Sequence, residues 1–97
     1  MIKTRVGFGY DMHKLVEGSY IMLGGIRINS NYTVVAHSDG DIVLHSLSDA
    51  IYGSLAAGDI GTHFPSNKEN INIQSVKILK HACELITQFN YMINNID

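Results

Sequence analysis

Residues 4–10, TRVGFGY, alternate large and small: Val6, Phe8 and Tyr10 on one side, Gly7 and Gly9 on the other. That period of two predicts a strand, with something packed closely over its glycine side. YIMLGGIRIN (20–29) predicts two short extended runs hinged at Gly24-Gly25, and INSNYTVVA (28–36) a turn leading into another short strand. The period then changes. From an N-cap at Ser38 or Asp39, a first helix places Val43, Leu47, Ala50 and Ser54 on one arc and Asp41, His45, Asp49 and Tyr52 on the opposite one. Gly58 is its expected stop, and GDIGTHFPSNKENIN (58–72) reads as a loop throughout. A second helix spans about 74–89, with an apolar arc of Val76, Ile78, Leu79, Ala82, Cys83, Leu85, Ile86 and Phe89. Asn90 suits the left-handed position that ends it, and YMINNID begins a further extended run.

Composition narrows the class. A chain of 97 residues suits one domain (1–97), and 45% hydrophobic with only 16% charged residues suggests apolar surface covered by another subunit. The net charge of -2, with no basic run, leaves no electrostatic footprint for nucleic acid. No apolar run reaches the roughly 20 residues that span a bilayer, and no leader pattern is visible. One cysteine fits a reducing compartment, so a cytoplasmic protein with no membrane partner is expected.

The polar residues carry the chemistry. In DMH (11–13) an extended backbone turns Asp11 and His13 to one side. With His45 from the first helix they make an Asp/His/His set suited to Zn²⁺ or a similar ion, with a position left open for substrate. Asp41 and Asp49, one turn either side of His45, are candidates to orient the imidazole from behind. Each residue also has a plainer reading. A helix His such as His45 is commonly a hydrogen-bonded interior residue. Asp41 also suits a first-turn helix charge, His81 a solvated face and Cys83 the core, while His63 is ambiguous. The Gly-containing loops AHSDGD and GDIG can aim N–H groups at phosphate oxygens, or be ordinary turns.

Taken in order, RVGFGYDMHKL, LGGIRI and AHSDGDIVLHSLSDAIYGSLAAGDIGTHFP closely resemble the 2-C-methyl-D-erythritol 2,4-cyclodiphosphate synthase family over nearly the whole chain. The resemblance implies an α/β (α+β) sandwich, a mixed sheet backed by helices, of which this chain holds about the first half to two-thirds and is incomplete at its C-terminal side. It implies that Asp11, His13 and His45 bind Zn²⁺ (or Mn²⁺), and that His37 stabilises the transition state. Asp11, Met12, His13, His37, Ser38, Asp59, Ile60, Gly61, Phe64, Pro65, Ser66, Asn67 and Lys68 match substrate-contacting segments. The implied reaction is intramolecular: the 2-phosphate of a cytidine-diphosphate-linked methylerythritol attacks the β-phosphorus and expels CMP, in non-mevalonate isoprenoid synthesis. A homotrimer is implied too, with a second Mg²⁺ or Mn²⁺ whose Glu ligand lies in a family segment absent from this sequence. FPSNKEN departs from the family's acidic continuation, with Lys68 in place of an acid. Two other readings remain: a non-catalytic metal- or phosphate-binding remnant, and an inactive structural subunit.

Overall fold

The structure is a computed structural model that describes residues 3–97. Two helices form its core. Helix α1 (Ile42–Ser54) and helix α3 (Ser75–Gln88) pack through Ile51, Tyr52 and Leu55 on one side and Ile78, Ala82 and Ile86 on the other. Tyr52 and Ala82 are fully enclosed. Burial of this kind stabilises by about 25 cal/mol per Å² of apolar surface.

Both helices end the same way. At α1, the Ala56 N–H donates to the Gly53 carbonyl and the Ala57 N–H reaches back to that of Tyr52, with Ala56 left-handed at φ 53°. At α3, Asn90 takes that position at φ 60°, its N–H on Thr87 and that of Tyr91 on Ile86. These paired bonds satisfy carbonyls that a helix end leaves bare. The helix therefore stops two residues before the expected Gly58, and Ala56 takes the strained backbone instead.

The inward face of α1 differs from expectation. Leu44, His45, Ser48, Ile51 and Tyr52 are buried, so the arc read as polar is largely the buried one. On α3 the buried stripe is narrow: Val76 and Phe89 are half exposed, and Cys83 is exposed rather than core.

The strands precede the helices. Strand β1 (Leu15–Glu17) pairs antiparallel with β4 (Tyr32–Val34), and β2 (Tyr20–Leu23) with β3 (Ile26–Asn29). Gly24 and Gly25, at φ 63° and 81°, make the two-residue turn between β2 and β3. Positive φ at both positions matches the right-handed twist of the flanking strands. The one parallel pairing among the described residues is a bridge between Ser38 and Ile73. The class is α+β, as expected.

Residues 4–10 have no ladder partner among the described residues. Their glycine side is packed closely, as the alternation predicts, but the partner is α1. A Cβ on Gly7 would lie 1.9 Å from the Ala50 carbonyl oxygen, and one on Gly9 1.7 Å from that of Ser46. Arg5 ties down the other end, donating to the Tyr91 hydroxyl at 2.9 Å and the Ser54 carbonyl at 3.2 Å.

The segment 58–72 is not loop throughout. A one-turn helix α2 (Ile60–His63) starts at Asp59, whose carboxylate accepts from the Thr62 N–H and hydroxyl. A 3₁₀ turn (Lys68–Asn70) starts at Asn67, whose side-chain oxygen accepts from the N–H groups of Glu69 and Asn70. Residues 91–97 form no assigned strand. No helix of the described residues is long and apolar enough to cross a membrane.

Candidate metal centre

Asp11, His13 and His45 converge. Asp11 Oδ2 lies 3.1 Å from His13 Nδ1 and 3.2 Å from His45 Nδ1. Asp11 and His13 come from the extended chain that the glycine contacts hold against α1, while His45 comes from α1 itself. Asp11 Oδ2 and His13 Nδ1 are buried and make no hydrogen bond of acceptable geometry among the described residues. Orphaned buried groups of this kind are costly. A cation between them removes that cost, and the two distances from Asp11 Oδ2 match it. A tetrahedral ion with bonds of about 2.0–2.1 Å sets its ligand atoms about 3.3 Å apart. The three residues can therefore hold a divalent metal.

The centre opens on a cavity of about 150 Å³ whose walls include His13, His37, Ser38, His45, Ile60, Phe64, Pro65 and Ser66. Residues from four sequence segments thus meet in one cleft. A larger hollow of about 320 Å³, between Arg5, Leu55, Phe89 and Tyr91, lies at the other end of α1 and contains none of these groups. The smaller cavity is the one beside the chemistry.

The remaining candidates sit elsewhere or are engaged. Met12 is exposed, and its N–H donates to Asp11 Oδ1 at 3.0 Å. Asp59 and Asn67 spend their side-chain oxygens on caps, and Gly61 and Lys68 are exposed. The Thr62 N–H, then the Thr62 hydroxyl, hold the Asp59 carboxyl below its ordinary value.

The Asp41 side chain, contrary to expectation, does not bond the His45 imidazole; it is the N-cap of α1, in place of the expected Ser38 or Asp39. Its fully buried carboxylate accepts from Leu44 N–H at 3.0 Å, Gly24 N–H at 2.9 Å and Gly25 N–H at 2.6 Å. One side chain thereby caps the helix and docks the β2–β3 turn. Asp49 accepts from the Ile60 N–H at 2.8 Å, which fixes α2 over the cleft. Burial raises its carboxyl above the ordinary value, against that bond, and the charges of Asp59 and Asp11 add to the rise.

Several participants carry no local sequence signal. Ser75, at the start of α3, is fully buried with its hydroxyl 2.8 Å from His45 Nε2. Asp39 reaches Ser75 from the loop before α1. His81 is not a solvated residue. Its Nδ1 lies 2.8 Å from the Tyr52 hydroxyl, and Phe64 meets its ring edge-on. His63 stacks on Tyr52 with 4.5 Å between ring centroids. Burial pushes the Tyr52 phenol up to about 12, so it keeps its proton at neutral pH.

The 2-C-methyl-D-erythritol 2,4-cyclodiphosphate synthase of Fusobacterium nucleatum is 50% identical over 94 residues, which cover 96% of this chain and 59% of that protein. A solved structure of a 2C-methyl-D-erythritol-2,4-cyclodiphosphate synthase superposes with a TM-score of 0.82 at 38% identity, covering 89% of this chain and 58% of the other. The IspF–CDP complex of Plasmodium falciparum superposes with a TM-score of 0.78 at 46% identity, covering 96% of this chain and 56% of the other. The chain thus spans about three-fifths of the length of the curated relatives it matches. The sequence pattern of one family fits residues 4–97, ligand motif, cleft loops and both long helices included, and the chain belongs to that family, the YgbB family.

Proposed function

We propose that this chain supplies the metal-binding part of a 2-C-methyl-D-erythritol 2,4-cyclodiphosphate synthase. The observation that carries the reading is the meeting of Asp11 Oδ2, His13 Nδ1 and His45 Nδ1 beside a cleft walled by His37 and Ser38. The ion is Zn²⁺ (or Mn²⁺), which one carboxylate and two imidazoles suit. Bound there, it supplies Lewis-acid stabilisation of charge on a phosphate oxygen.

The substrate is a cytidine-diphosphate-linked methylerythritol 2-phosphate; the CDP in the Plasmodium relative's structure supports that class. An oxygen of the 2-phosphate bonds to the β-phosphorus. The bond from that phosphorus to the bridging oxygen breaks, and CMP leaves with the electron pair. No covalent enzyme intermediate is required, so the protein's task is to position and to neutralise charge. His37 and Ser38 hold the reacting phosphates from the loop before α1. Ile60 and the Phe64–Ser66 stretch close the cleft opposite and keep water out.

The assembly is a homotrimer. Val6, Phe8, Tyr10 and Met12 are 88%, 84%, 67% and 76% exposed along one extended segment, an apolar row that suits cover by a neighbouring subunit.

The test is a chimera: the Fusobacterium relative carrying this chain's residues 4–97 in place of its own segment, assayed for CMP release with Zn²⁺ and Mg²⁺. Turnover within about tenfold of the parent, abolished by His45→Ala, is expected. A folded, zinc-loaded chimera without turnover would leave a non-catalytic binding module as the correct reading.

A further inference from the structure

His45 touches two polar groups besides Asp11. Its Nε2 lies 2.8 Å from Ser75 Oγ and 3.1 Å from Ser38 Oγ. Ser75 Oγ in turn lies in close hydrogen-bond contact with Asp39 Oδ1. The order of protons along this row follows from the groups at its ends. An ionised Asp39 carboxylate has no proton to give, so the Ser75 hydroxyl donates to it. That leaves the Ser75 oxygen to accept, and the group facing it is His45 Nε2. Ser38 Oγ already accepts from the Gly40 N–H, and its second lone pair can share the Nε2 proton. The imidazole therefore carries its hydrogen on Nε2 and presents a lone pair at Nδ1, the nitrogen that faces Asp11 Oδ2.

Asp39 is itself fixed. It accepts from the Ser75 N–H at 3.1 Å and the Asp41 N–H at 3.2 Å. The first bond caps α3 from 36 residues away, since Gln74 at the cap position makes no side-chain bond. Ser75 is fully buried and His45 is 8% exposed, so their contact lies away from bulk water.

We propose that Asp39 and Ser75 are positioning residues: the Asp39–Ser75–His45 chain of hydrogen bonds sets the tautomer and ring angle of His45, so that Nδ1 is ready to ligate a divalent metal. Hydrogen bonds from behind a ligating imidazole are a general means of raising metal affinity. The chain also couples two events in folding. The contact that seats α3 on the loop before α1 is the contact that arms the ligand, so a site with α3 undocked binds metal weakly. The inference rests on the metal reading of Asp11, His13 and His45.

Ser75→Ala removes the hydroxyl but keeps the N–H bond to Asp39, and so spares the α3 cap. Zn²⁺ affinity, read by competition with a chromophoric chelator, is expected to fall about 10- to 100-fold in Ser75→Ala and to recover largely in Ser75→Thr. Nitrogen-15 spectra of the metal-free wild type at mildly alkaline pH, which need no variant, are expected to show His45 protonated on Nε2. Wild-type affinity in a folded Ser75→Ala protein, or a His45 proton on Nδ1, overturns the proposal and leaves the metal site standing. Failure of the wild type to bind Zn²⁺ at all overturns both.

Discussion

The two suppliers of the metal centre are held by different physics. His45 stands on a helix that packs through Ile51, Tyr52 and Leu55 into a cluster of buried hydrophobics. Asp11 and His13 stand on an extended segment whose large side chains point outward and whose hold beside the site is close backbone approach at Gly7 and Gly9, with Arg5 anchoring its far end. One half of the site is fixed by burial, the other by the absence of two side chains. The helical half tolerates small changes of volume at a graded cost. The extended half has no such reserve, because any added carbon meets helix backbone that cannot rotate away.

The largest effect is therefore expected from the smallest substitution. Gly9→Ala puts a carbon 1.7 Å from the Ser46 carbonyl oxygen, so residues 9–13 lift from α1 and Asp11 and His13 leave His45. Zinc affinity should fall by more than the roughly 10- to 100-fold that losing a hydrogen-bond partner behind a ligand costs. Helix content by circular dichroism should be unchanged. Retained affinity would show that the extended segment is held by something other than its glycine contacts.

Asp41→Ala attacks the anchoring of α1 to the β2–β3 turn. It deletes the α1 cap and strands the Gly24 and Gly25 N–H groups, for a combined loss of about 2–4 kcal/mol. Denaturant unfolding reads it. A loss below about 1 kcal/mol would mean that water replaces the carboxylate at the turn.

The smallest effect is electrostatic. Burial, helped by Asp59 and Asp11, raises the Asp49 carboxyl above its ordinary value of 3.8. The folded chain thus keeps this proton at pH values where the unfolded chain has lost it. The contribution of Asp49 to stability is then highest below the ordinary value and declines as pH rises through the raised one. Asp49→Asn keeps an oxygen for the Ile60 N–H and removes the charge. Stability of the metal-free variant relative to wild type should therefore improve between about pH 4 and pH 7. A flat or reversed difference would mean that the Ile60 bond and His45, which act the other way, dominate.

What could be read beforehand follows the same division. The convergence of Asp11, His13 and His45 was legible because Asp11 and His13 lie two apart in extended chain, and because the motifs of HSDGD and the first helix are local and ordered. The β2–β3 turn announced itself through Gly24-Gly25, and the close packing of the Gly7–Gly9 side through alternation. The inward face of α1 was not legible. His45 and Tyr52 are polar by type but buried by partners distant in sequence: Ser75 for His45, His81 and the Ile78 carbonyl for Tyr52. Periodicity weighs each residue alone, so it assigns such groups to solvent. Asp41 misled for the same reason, since two of its three partners lie 16 and 17 residues upstream. Helix α2 is too short to show a period, although Asp59 and Thr62 form its capping pair. Periodicity puts Cys83 in the core, yet it is exposed, because the apolar arc of α3 is wider than the stripe that α1 covers.

The central claim is that Asp11, His13 and His45 form a metal centre. Elemental analysis of the folded chain, purified after zinc loading and removal of free metal, tests it most directly against His45→Ala. The account predicts about one Zn²⁺ per chain in the wild type and almost none in the variant. Equal zinc in the two proteins would contradict it.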